Sequence, residues 1–168
     1  TRLRCDWSSD VCSSDLDRVR TFSIKILEKS LQSENAFIRS AAARAAGESE
    51  YSGLIPFLKK AAKDSYHTTR LFALQGIKKI SLDEARAISI HMSRDPNIWV
   101  RGAAIEMLGE LGDGALGNII QPHLKSPDRT VRYAAAGALF KLGDENQLDV
   151  LLDGLKGGSS IEDRKSVV

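Results

Sequence analysis

Cysteine is nearly absent from this chain of 168 residues, and the two that occur, Cys5 and Cys12, both lie in the first 16 positions. The rest of the sequence therefore has no residues for a disulfide framework, a cysteine zinc site or a thiol nucleophile. No apolar run approaches the ~20 residues that a membrane-spanning helix requires, so we expect no membrane contact. The formal net charge of +2 is too small to indicate a polyanionic partner by itself.

Residues of catalytic or metal-binding type are also few and scattered. The three histidines, His67, His91 and His123, have no second histidine, paired acid or cysteine at ligand spacing, so we predict no bound metal. No nucleophile–base pair, phosphate-binding loop or carboxylate dyad stands out. We therefore expect a protein that is not an enzyme and that holds no cofactor.

The two ends of the chain differ from everything between them. Residues 12–16, Cys-Ser-Ser-Asp-Leu, can be written TGC TCT TCC GAT C, and the reverse complement, GAT CGG AAG AGC, encodes the Asp-Arg-Lys-Ser found at 163–166. We interpret 1–16 and 163–168 as translated sequencing adapter, with a repeat domain over 17–158 and a tail over 159–168. We expect further repeats or domains of the parent protein on either side. The cytoplasm is then only a default location.

A fixed interval of 31 residues organises the rest of the sequence. It relates the four arginines Arg39, Arg70, Arg101 and Arg132. The same interval relates one column of alanines and two apolar columns. These are Ala42, Ala73, Ala104 and Ala135; Ala46, Ile77, Leu108 and Leu139; and Phe57, Ile88, Ile119 and Val150, the last extended backwards by Ile26. A unit of this length with two stripes of 3.6-residue period has room for two helices of about 12 residues, and such pairs must stack to bury a continuous core. We predict an all-α solenoid of about four helix pairs after a half repeat.

Local signals place the helix ends. The predicted pairs run over 35–47 and 52–63, 66–80 and 83–94, 97–111 and 114–125, and 128–142 and 145–156, after a helix at 17–31. Short polar side chains that can accept from free backbone N–H groups predict N-caps at Asn35, Asp83, Asn97 and Asp128. Gly112 and Gly143 match each other at helix ends, where a left-handed residue is favoured.

The segments 100–113, Val-Arg-Gly-Ala-Ala-Ile-Glu-Met-Leu-Gly-Glu-Leu-Gly-Asp, and 131–144, its close copy, resemble HEAT repeats of the short kind found in phycobilisome lyases. The first repeat lacks the Leu-Gly-Asp turn, and the second has Thr69 in place of an aliphatic residue. The resemblance implies a right-handed solenoid that serves mostly as a scaffold. It also implies that the arginine column is structural, an inter-repeat ladder of Arg with Asp or Asn.

A second, basic column, Lys63, Arg94, Lys125 and Lys156, is predicted to end the second helices, where a cation stabilises the negative end of the macrodipole. The same residues could form a basic rim, helped by Lys59, Lys60, Lys78, Lys79 and Arg86. We expect Trp99 to pack against the next repeat rather than to anchor a partner.

The sequence favours a non-catalytic scaffold that binds a protein partner on the concave wall of its second helices. The candidate binding residues are Lys59, Lys60, Lys63, His91, Arg94, His123 and Lys125. Two alternatives stay open: a nucleic-acid-binding solenoid of the DNA alkylation-repair type, which the near-neutral charge disfavours, and a bilin-lyase-like subunit that handles a chromophore.

Overall fold

The structure is a computed structural model that describes the backbone of residues 9–155 and the side chains of residues 17–152. All regular structure in that part of the chain is helical. The α-helices are α1 (Ser9–Ser30), α2 (Ala36–Glu48), α3 (Ile55–Ala61), α4 (His67–Ile80), α5 (Leu82–Met92), α6 (Ile98–Glu110), α7 (Gly117–Ile120), α8 (Arg129–Lys141) and α9 (Leu148–Leu155). Short 3-10 turns precede α3, α7 and α9. The chain divides into two compact units, with the boundary between Ile80 and Ser81.

Each unit has its own apolar core. In the first unit α2 and α3 pack against α4. In the second, α8 packs against α6, α7 and α9, and α5 packs against α6. The buried apolar residues include Ala43, Ala46, Leu54, Leu58, Leu74 and Ile77 in the first unit and Ile105, Leu108, Leu116, Ile120, Val131 and Leu139 in the second. Helices predicted to pair within a repeat are in contact in the first unit, α2 with α3, and in the second, α6 with α7 and α8 with α9.

The N-caps follow the sequence at three of the four predicted places. The side chains of Asn35, Asn97 and Asp128 accept backbone N–H groups in the first turns of α2, α6 and α8. The prediction for Asp83 is wrong. Helix α5 begins at Leu82, and Ser81 caps it by accepting from the N–H of Glu84 at 3.4 Å.

Three residues at one place of the repeat adopt left-handed backbone. Gly112 and Gly143, at φ of 69° and 94°, confirm the prediction for the helix ends. Glu50 lies two periods before Gly112, at φ of 51°, where the degenerate first repeat has no glycine. An L-residue pays a steric cost in this region that glycine does not.

We expect Glu50→Gly to raise the free energy of unfolding by up to about 1 kcal/mol, because glycine relieves the left-handed strain. Gly112→Ala is the matched control: a Cβ there meets no atom within 4 Å, so its expected loss of about 1 kcal/mol comes from backbone conformation alone. Urea denaturation of both variants measures the effect. A destabilised Glu50→Gly would contradict it.

The alanine column is buried along its whole length. The backbones come still closer at positions that hold glycine. Gly47 of α2 faces Gly76 of α4, and a Cβ built on Gly76 would lie 2.9 Å from the Cα of Gly47. Gly109 of α6 likewise faces Ala138 of α8, where the corresponding distance to the Cα is 2.5 Å. The closest contact between first helices therefore lies toward their C-terminal ends.

The most deeply buried column of the second helices lies one residue after the predicted one. Phe57, Ile88 and Ile119 are only partly buried, whereas Leu58, Ser89 and Ile120 are fully buried. Ser89 and Thr69 thus place hydroxyl groups at core positions. Within the described residues, neither hydroxyl has a hydrogen-bond partner.

Two fully buried serines of the second unit provide a matched pair. The Oγ of Ser93 donates to the carbonyl of Ile90 at 2.9 Å. The Oγ of Ser89 has no hydrogen-bond partner among the described residues. We expect Ser89→Ala to leave the free energy of unfolding unchanged or to raise it by up to about 1 kcal/mol, because an unpaired buried hydroxyl is removed. Ser93→Ala should lower it by about 1 kcal/mol. Equal losses in thermal unfolding would show that Ser89 is also paired.

Candidate partner-binding surface

In the first unit, the three candidate lysines lie at the end of the second helix of the first repeat. Lys59 and Lys60 are in the last turn of α3, and Lys63 follows it. Lys60 and Lys63 are exposed, whereas Lys59 is half-buried and makes an interaction of its own. Cations here also complement the negative end of the helix macrodipole. The group therefore combines exposed charge with a stabilising position.

In the second unit, the candidate residues lie at the ends of two consecutive second helices. His91 is in the last turn of α5, and Arg94 follows the C-cap residue Ser93; both His91 and Arg94 are exposed. Lys125 is exposed at the end of a 3-10 turn. Lys156, the last member of the basic column, lies outside the described residues, as do the side chains of residues 1–16 and the segment 163–168.

The second helix of the third repeat is interrupted, which the sequence analysis did not predict. Instead of one helix over 114–125, the chain forms α7 and then the 3-10 helix Gln121–Lys125. Pro122 has no N–H to donate to the carbonyl four residues earlier, and its ring clashes with that carbonyl, so the α-helix cannot continue. The tighter turn leaves His123 half-buried at the end of the repeat.

His123 lies in a positively charged environment. Burial lowers the pKa of its imidazole below the usual range, and the nearby guanidinium groups of Arg101 and Arg94 lower the pKa further. All three disfavour the imidazolium form. Arg94, Arg101 and His123 therefore form one cluster, to which the two arginines bring permanent charge; we call it the Arg101 cluster.

Each arginine of the 31-residue column holds the turn that precedes its own helix. In every case Nη1 donates to the backbone carbonyls six and five residues earlier. The distances are 2.9 and 2.8 Å for Arg39, 2.8 and 3.1 Å for Arg70, 2.6 and 3.4 Å for Arg101, and 2.9 and 2.8 Å for Arg132. We call this arrangement the turn clamp.

A second column supports the same turns from the other side. Its members are Ser33, Asp64, Asp95 and Ser126, and each accepts the backbone N–H two residues further on. Their carbonyls are also the acceptors six residues before each arginine. Each inter-repeat turn is therefore fixed by one side chain within it and by one arginine beyond it.

Arg39 also makes the inter-repeat contact that the family resemblance implies. Its Nε and Nη2 donate to the two carboxylate oxygens of Asp64, at 2.6 and 2.8 Å. The hydrogen bonds from Arg39 hold the pKa of Asp64 below its usual range, helped by the backbone N–H of Tyr66 and by the charge of Arg70. This pair joins the first repeat to the turn that begins the second.

The additional cations proposed for a basic rim do not all contribute to it. Arg86 forms an ion pair with Asp113, which neutralises its charge. Lys78 and Lys79 end α4, which is a first helix and not a second one. Arg86, Lys78 and Lys79 therefore do not belong to a basic rim at the ends of the second helices.

Large aromatic side chains at the start of two first helices are exposed. Trp99, expected to pack against the next repeat, has 59% of its surface exposed in the first turn of α6. Phe37, at the same place in the first repeat, is 71% exposed and meets Tyr66 edge to face at 5.7 Å. Trp99 precedes the fully buried Val100 by one residue, whereas Ile38, after Phe37, is itself 47% exposed.

The part of the chain that the structure describes has neither a metal-binding cluster nor a membrane-spanning helix. No three His, Cys, Asp or Glu side chains there lie close enough to hold a metal ion. None of the helices in that part is sufficiently long and apolar to cross a bilayer.

Stacked helix pairs, a 31-residue period and repeated turn clamps define the class of tandem helical repeat proteins. A family model described as HEAT repeats matches residues 85–168, half of the chain. The chain therefore belongs to the HEAT-repeat family, and the predicted all-α HEAT-like solenoid is confirmed.

Among solved structures, the complex of CpcE and CpcF of phycocyanin lyase from Nostoc sp. PCC7120 is similar. The match covers 80% of this chain and 71% of that chain, with 22% sequence identity and a TM-score of 0.52. At this identity the likeness establishes the fold. No curated protein sequence matches the chain.

Proposed function

We propose that this chain is a non-catalytic HEAT-repeat scaffold that binds a protein partner through the side chains at the ends of its second helices. The observation that carries the proposal is the recurrence of exposed cations at those ends. In the first unit they are Lys60 and Lys63, with Lys59 beside them. In the second unit they are Arg94 and Lys125, with His91 and His123. Each unit offers its own group.

The electrostatics of these groups favour a partner with exposed acidic residues. Complementary charge at an exposed surface speeds association and rejects like-charged partners more than it adds affinity. The similarity to a CpcE–CpcF complex supports a role in association between proteins, since the similar fold there occurs in a complex of two named chains.

The test selects binders and then removes the charge. A displayed peptide library is selected against the immobilised chain, and the binders are measured against Lys60→Gln/Lys63→Gln and against Arg94→Gln/Lys125→Gln. The control is Lys25→Gln/Lys29→Gln on α1, two exposed lysines away from the candidate groups. We expect Asp/Glu-rich binders that lose affinity with at least one candidate variant and keep it with the control. Binders that respond only to the control would contradict the proposal.

A duplex DNA titration distinguishes the nucleic-acid alternative. We expect no binding tighter than the non-specific range of ~10⁻⁴–10⁻⁶ M at physiological salt. Submicromolar binding that weakens steeply with salt would replace the scaffold by a nucleic-acid-binding function. Absorbance changes on titration with a linear tetrapyrrole would instead support chromophore handling.

A further inference from the structure

Arg39 and Arg101 occupy the same place in two repeats, but only Arg39 meets a carboxylate there. The acceptor of Arg39 is Asp64, 25 residues later in the chain. The residue 25 positions after Arg101 is Ser126, whose hydroxyl accepts the N–H of Asp128 at 3.3 Å. Among the described residues, no Asp or Glu side chain forms an ion pair or hydrogen bond with Arg101.

The turn clamp leaves the other edge of the Arg101 guanidinium without an acceptor. Nη1 is used by the carbonyls of Asp95 and Pro96. Nε and Nη2, the edge with which Arg39 binds Asp64 through two bonds, have no protein acceptor in the described chain. A guanidinium edge of this kind matches the two oxygens of a carboxylate, so a bidentate contact gives both strength and orientation.

The neighbours of this edge reinforce its preference for an anion. Arg94 is exposed on the turn before α6, and His123 is half-buried beside both arginines. Asp95 and Asp128, at the turns that begin α6 and α8, accept the backbone N–H groups of Asn97 and Val131. Burial lowers the pKa of His123, and the positive charges of Arg101 and Arg94 lower it further.

We propose that Arg101 binds an Asp or Glu side chain of the protein partner, in the place that Asp64 takes against Arg39, with Arg94 and His123 completing the site. This inference rests on the proposed scaffold function and names the group that the second unit recognises. The partner thereby supplies the carboxylate of the inter-repeat ladder that this repeat lacks.

The test returns the missing carboxylate to the chain. Ser126→Asp should place an acid against Arg101 as Asp64 stands against Arg39, while it still accepts the N–H of Asp128. We expect a higher melting temperature, a higher pKa of His123 by NMR, and a weaker Kd for a labelled Asp/Glu-rich dodecapeptide. The loss in Kd should be about tenfold or more, the factor that ~1.4 kcal/mol represents. Ser126→Asn, of similar size and without charge, should leave all three close to wild type.

Two further measurements complete the design. Arg101→Gln should remove the binding of the acidic peptide, whereas Arg132→Gln, which loses the same clamp bonds in the next repeat, should keep it. The matched Asn/Gln dodecapeptide should bind neither protein.

The outcomes separate this site from the wider function. A raised melting temperature in Ser126→Asp with unchanged peptide affinity would overturn the proposal. The new aspartate would then occupy the free edge of the Arg101 guanidinium without displacing the peptide. Unchanged melting and affinity would overturn it as well, because Arg101 would not be placed as Arg39 is. Arg101-dependent binding of an oligonucleotide in place of the peptide would also contradict it. If the library in the earlier test yields binders that ignore Arg101, the scaffold function stands and this site fails.

Discussion

Gly47→Ala is expected to destabilise the first unit by about 1–3 kcal/mol, the cost of forcing extra volume into a packed contact. The reason is the crossing of α2 and α4, where Gly47 and Gly76 face each other across their backbones. A Cβ on Gly47 would meet the Cα of Gly76 well inside van der Waals contact. Backbone atoms cannot rotate away as a side chain can, so the two helices must separate.

Gly102→Ala is the matched control for this substitution. Gly102 is buried inside α6, and a Cβ there would lie 3.9 Å from the Cβ of Ala134, which is ordinary contact. Alanine is the better helix former by about 0.8–1.0 kcal/mol, so this variant should be stabilised. Denaturant unfolding of both variants should therefore give changes of opposite sign. A loss in both would mean that glycine itself, and not the crossing, matters.

Asp64→Ala is expected to lower the free energy of unfolding by about 1–3 kcal/mol, because it removes the acceptor of hydrogen bonds to a charged group. The side chains of Arg39 and Asp64 are only 16% and 11% exposed, so water replaces the lost hydrogen bonds poorly. Glu48→Ala is the control: it breaks the pair with Arg44, in which the side chains are 66% and 54% exposed, and should cost no more than about 0.5 kcal/mol. Equal losses would show that the Arg39 pair is solvated.

The same carboxylate makes stability depend on pH. Because folding lowers the pKa of Asp64 from its ordinary value of 3.8, its contribution is fully present above that value. It is lost as the pH falls through the lowered pKa. The stability difference between the wild type and Asp64→Asn should therefore be constant near neutral pH and should shrink in acid. A difference that grows on acidification would contradict the direction.

The repeat period allowed the fold to be predicted from sequence because the period is a property of many residues at once. The arginine column, three of the four predicted caps and the left-handed glycines each rest on a local rule of backbone geometry, and those rules hold in the structure. The burial of the second helices was predicted one residue out of place, because apolar residues stand at both Phe57 and Leu58. Hydrophobicity alone does not say which of two adjacent apolar residues points inward.

The candidate site was less accessible to prediction. The basic residues were visible in the sequence, but the pairing of Arg86 with Asp113 depends on how two segments meet. Pro122 could have indicated the broken helix, since proline inside a helical pattern ends it. The structure shows that Asp64 binds Arg39. Only then does Ser126, at the corresponding position after Arg101, indicate that the Arg101 guanidinium lacks a carboxylate partner.

The turn clamps bear on how the chain folds. Each clamp joins atoms only five or six residues apart, so its closure requires little loss of chain entropy and can occur in any repeat without the others. Local contacts of this kind go with rapid folding, and stacked repeats can nucleate at several places. We therefore expect parallel folding routes, in which a substitution of one clamp arginine slows the route through its own repeat and leaves the others open.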